Sequence, residues 1–77
     1  MWKDGTLQTK ELRIQITNNH VCAKGTWVIH VREFGWNTKD MNISTDSTLE
    51  QARQRAVVMC KEYLTNALNS LEDYVER

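Results

Sequence analysis

GTWVIHVRE, residues 25–33, decides the fold of this 77-residue chain. Trp27, Ile29 and Val31 alternate with Val28, His30 and Arg32, the period-two pattern of a strand with one buried face. Just upstream, ELRIQIT (residues 11–17) repeats it, with Leu12, Ile14 and Ile16 inward and Arg13, Gln15 and Thr17 outward. Downstream, KDMNIST repeats it more weakly through Met41 and Ile43. Three strands follow, at about 10–17, 26–33 and 38–44. Setting Leu12, Ile14 and Ile16 opposite Val31, Ile29 and Trp27 leaves a long loop holding His20 and Cys22. A tighter turn at Asn19-His20 is the alternative.

After the third strand the period changes. Leu49, Ala52, Ala56, Cys60, Tyr63, Ala67, Leu71 and Tyr74 recur every three or four residues, and Val57, Leu64, Leu68 and Val75 widen the stripe. This is an amphipathic helix over about 48–75. Ser47 and Glu50 have the spacing of a capping box at its start. The chain contains no proline, and the order strand, strand, strand, helix predicts an α+β fold. One long C-terminal helix covers one face of a three-stranded antiparallel sheet in a single domain spanning 1–77.

Lengths do not match. A helix from Ser47 to Val75 runs about 43 Å at 1.5 Å per residue, whereas strands of about seven residues span roughly 23 Å. Either the helix breaks near Asn66 or Asn69-Ser70 and its end folds onto its own sheet edge, or the far part of the stripe, Leu68, Leu71, Tyr74 and Val75, meets a second copy. A two-fold homodimer is the expected arrangement. A small domain buries only roughly 60–65% of its unfolded surface, so association is a common remedy.

Between the second and third strands, Phe34 and Trp36 flank Gly35 at a chain reversal. The parity of the inward positions centres that reversal on residue 35 or 36, with Met41 opposite Ile29 or Val31. At least one ring sits at the tip. It either folds back onto the core or stands out as an anchor for a partner, a role in which tryptophan is frequent.

Composition narrows the function. Lys and Arg number ten, as do Asp and Glu, for a net charge of zero. That weighs against a dedicated nucleic-acid binder. Two cysteines and a polar start with no secretory pattern point to a reducing, cytoplasmic setting. No apolar run approaches the roughly 20 residues that span a bilayer. His20 and Cys22 supply two ligands where a closed zinc site needs four, and no nucleophile–base–orienter set or phosphate loop is present. The expectation is a protein that is not an enzyme and carries no metal or cofactor.

With G25-T26-W27 opening the second strand and TDSTLEQARQRA opening the helix, the chain resembles the arm-type DNA-binding domain of tyrosine recombinases. It is similar also to the plant ethylene-response DNA-binding domain. Those resemblances imply a sheet face that contacts DNA, here through Arg13, Lys24, His30 and Arg32. The segment DSTLEQARQRAVVMCKEYL resembles the helix of HicB-like antitoxins, which implies a small domain that binds and blocks a toxin. The expected work is binding that regulates or inhibits a larger protein, of toxin–antitoxin or phage-inhibitor type. Its expected surfaces are Phe34 and Trp36 at the turn and Glu72, Asp73 and Glu76 at the helix end. The alternative is a DNA-binding module.

Overall fold

The computed structural model describes residues 1–21 and 25–72. They form an antiparallel sheet of five strands, β1 (Trp2–Lys3), β2 (Thr6–Gln8), β3 (Arg13–Thr17), β4 (Thr26–Val31) and β5 (Trp36–Ser44), followed by α1 (Leu49–Glu72). Each strand pairs with the next in chain order. The α+β class, the antiparallel sheet and the single C-terminal helix agree with the sequence reading, whereas the sheet has five strands and not three. The two extra strands are two and three residues long, too short for alternation to register. Trp2 pairs with Leu7 across their hairpin, and both pack against the core.

Register departs from expectation in two places. Ile14 lies opposite Val31 and Ile16 opposite Ile29, two residues from the pairing of Leu12 with Val31. Leu12 belongs instead to the β2–β3 connection, where its N–H donates to Thr9 Oγ1 at 2.9 Å and its carbonyl accepts from Thr9 N–H at 2.8 Å. The strand thus begins at Arg13 and not at residue 10.

Across the next hairpin, Val31 pairs with Trp36, so β5 starts two residues earlier than expected. Arg32–Phe34 form one turn of 3-10 helix, and Gly35 closes it with φ +75° while its N–H donates to Arg32 O. A side chain there would be strained. β5 absorbs the changed register in two bulges. Asn37 and Thr38 both oppose the single His30, and Met41, Asn42 and Ile43 oppose Trp27. At the second bulge Asn42 has φ +58°, and its N–H donates to Asp40 Oδ1 at 2.6 Å.

The helix cap falls one residue later than the Ser47–Glu50 pair. Thr48 N–H donates to Gln51 Oε1 at 2.9 Å, and Gln51 N–H donates to Thr48 Oγ1 at 3.1 Å. This is the same reciprocal capping logic with glutamine in place of glutamate. Ser47 is used differently: its N–H donates to Ser44 O in the turn that leaves β5.

Ile14, Ile16, Trp27, Ile29, Val31 and Met41 form the sheet side of the core, and Ala52, Ala56, Met59 and Cys60 the helix side. Ala52 and Ala56 are fully buried. Their small side chains let the helix backbone lie close to large sheet residues. Two arginines hold the helix at opposite sides of the sheet. Arg53 donates from Nε and Nη2 to Asp4 O in the β1–β2 turn, and Arg55 donates from Nε to Met41 O in the β5 bulge.

Candidate functional site

Burial on the helix stops at Cys60. Every described residue from Lys61 to Glu72 is exposed, because the helix has run past the sheet. Those twelve residues extend about 18 Å. Leu64, Leu68 and Leu71 are 47, 55 and 71% exposed. Their spacing of four and three places them on one stripe, the seam geometry of paired helices. The length argument from the sequence thus meets an uncovered leucine row. Of the expected dimer residues, Leu68 and Leu71 lie on it, while Tyr74 and Val75 fall outside the described residues.

At the foot of this extension stands a ring cluster. Phe34 stacks on Tyr63 with centroids 4.2 Å apart. Trp36 meets Phe34 edge-on at 5.1 Å and Tyr63 at 5.4 Å. Lys39 Nζ lies 5.3 Å from the centre of the Trp36 ring. The two rings of the turn are half-buried, folded back onto the protein's own helix, and they surround the point where that helix leaves the sheet. Tyr63 had the right period for the stripe, but its contact with residues 29 and 27 positions upstream carried no sequence signal.

Glu72 is the last described helical residue, and Asp73 and Glu76 lie outside the described residues. Arg13 and His30 stand on the sheet face away from the helix, Arg32 sits in the 3-10 turn, and Lys24 is outside the described residues. Arg13 N–H donates to the Glu33 carboxylate at 3.3 Å, which brings a negative charge to that end of the face. On the same outward face Val28 is only 4% exposed, although its alternation with Trp27 and Ile29 predicts a solvated position.

Burial pushes the Cys60 thiol from its ordinary 9.0 up to about 11, so it is a protonated core side chain and a poor nucleophile. Among the described residues no three His, Cys, Asp or Glu side chains are grouped to hold a metal ion. Cys22, the other candidate ligand, lies outside the described residues. No helix among the described residues is long and apolar enough to cross a membrane. Comparison of the chain with protein-family models, with curated proteins and with solved structures gives no match in any of the three.

Proposed function

We propose that this chain is a non-catalytic binding protein of a reducing, cytoplasmic compartment. It acts as a homodimer that regulates or inhibits a larger protein by direct contact, in the manner of toxin–antitoxin or phage-encoded inhibitors. One observation carries the reading: among the described residues, the leucine row on residues 61–72 has no surface to bury against. An isolated helical segment of this length is marginal in water. A leucine stripe on it becomes stable when another surface covers it.

A second copy fits that surface in antiparallel pairing. Leu64 of one copy then lies near the partner's Leu71, and the two copies of Leu68 meet beside the two-fold axis. The Lys61 end of each extension comes next to the Glu72 end of the other, and the two helix dipoles oppose. The ring cluster of Phe34, Trp36 and Tyr63 stays at each root of the paired extensions, the face offered to the larger protein.

Light scattering on the purified protein tests the dimer. The mass of two chains is expected, falling to one for Leu71→Glu. Part of the helical circular dichroism is then lost as the uncovered extension frays, with the cooperative unfolding of the sheet–helix core retained. A wild-type mass of one chain overturns the pairing. The larger partner is tested by isolating tagged protein from its cells, with Trp36→Ala and Arg13→Ala alongside. Loss of a bound protein with Trp36→Ala but not with Arg13→Ala supports the reading. The DNA-binding alternative requires the reverse, with binding that weakens steeply in salt.

A further inference from the structure

The sheet face away from the helix is shaped by register. Thr6, Gln15 and His30 form one cross-strand row, and Thr17 and Val28 belong to the next. The first β5 bulge adds both Asn37 and Thr38 opposite His30. Together with Gly5 and His20 these residues line an open groove of about 480 Å³. Its floor is the buried Val28. That volume lies within the range of small-molecule sites, roughly 300–1,000 Å³.

Among the described residues the lining has three threonine hydroxyls, the Gln15 and Asn37 carboxamides and two imidazoles, and no Lys, Arg, Asp or Glu. His30 Nδ1 lies 3.0 Å from Asn37 O. A carbonyl oxygen only accepts, so Nδ1 carries the hydrogen, and Nε2 of the neutral ring is an acceptor. Beside it in the same row, the Gln15 carboxamide offers a donor and an acceptor. Neighbouring strands are about 4.8 Å apart, so the walls at β2 and β5 stand roughly 14 Å apart before side chains are subtracted. A flat ring system lying over β3 and β4 fits between them.

We propose that this groove binds a neutral, planar heterocycle of nucleobase size that carries an N–H beside a carbonyl, as in uracil or guanine. The ring lies over Val28; its N–H meets His30 Nε2 and its carbonyl accepts from the Gln15 amide. Thr6 and Thr38 bound its edges. A nucleic-acid strand is a poorer occupant. Its phosphates find no cation among the described residues of the lining, and Lys3 and Arg13, described cations of this face, stand at its rim by register. The site is separate from the helix extension and does not depend on it.

Backbone amide NMR of the whole chain tests this. The protein is titrated separately with uridine, guanosine, adenosine, inorganic phosphate and mixed-sequence duplex DNA. Uridine and guanosine are expected to shift the amides of Thr6, Gln15, Thr17, His30 and Thr38. Adenosine, which lacks the N–H beside C=O, binds about tenfold more weakly, and Gln15→Ala weakens uridine by a similar factor. Thr38→Trp, a change at an exposed wall position, blocks the groove with the rest of the spectrum unchanged. No shift at about 10 mM nucleoside, shifts elsewhere, or an equal response to adenosine, phosphate or duplex overturns the proposal.

Discussion

Tyr63 and Phe34 stack with their ring centroids 4.2 Å apart, and this contact joins the β4–β5 turn to the helix just beyond the last buried helical residue, Cys60. Trp36 closes the group edge-on against both rings. Tyr63→Ala removes the shared member. The expected loss is about 1–3 kcal/mol, combining ring–ring attraction with partial burial. Urea unfolding measures it, and the Trp36 emission should move to longer wavelength as the indole meets water. An unchanged midpoint would show that the cluster contributes no net stability.

Gly5 sits against β3 so closely that a Cβ there would lie 2.5 Å from Ile16 O. The same glycine accepts Ile16 N–H through its carbonyl at 2.8 Å. Gly5→Ala must push the β1–β2 hairpin away from backbone that cannot yield. A destabilisation of about 1–3 kcal/mol is expected, with faster amide exchange at Ile16 as the local reporter.

Thr48→Ala leaves the Gln51 N–H without its side-chain acceptor and breaks the reciprocal box. About 1 kcal/mol should be lost, whereas Ser47→Ala should cost much less, since its side chain is not the cap. Comparing the two by thermal unfolding separates the observed cap from the one the sequence suggested.

Cys60 gives the fold a pH limit. Its folded thiol ionises near 11, above its ordinary 9.0, because burial disfavours the thiolate. Between those values the unfolded chain releases a proton that the folded chain keeps. Stability from this group is therefore complete below about pH 9 and declines as the pH rises towards 11. Cys60→Ala should flatten that decline. In the native protein at neutral pH, Cys60 should resist alkylation until denaturant is added.

The elements with a full period were legible. β3 alternates for five residues and β4 for six apart from the buried Val28, and the helix repeats its apolar spacing across its length. The mismatch between helix and strand lengths also anticipated the exposed Leu68 and Leu71, though not Leu64. Missed were β1 and β2, although Asp4-Gly5 between Trp2-Lys3 and Thr6-Leu7 is itself a hairpin signal. The alternation carried past Lys39 gave no hint of either bulge. Bulges change which residues share a row without changing composition, so the groove beside His30 was hidden from a reading based on parity. Of the proposed contact residues, Phe34 and Trp36 were named from the turn, but Tyr63 as their support emerges only in three dimensions.

The bulges of β5 have one more consequence. A sheet whose outer strand is straight and regular offers its free N–H and C=O groups to any strand that passes, and chains can then add end to end without limit. Here one border strand is two residues long. The other is kinked twice, carries Lys39 and Asp40, and turns through a left-handed Asn42. Neither border offers a long, regular row of free backbone groups to a passing strand, so growth of the sheet by strand addition is disfavoured at both sides.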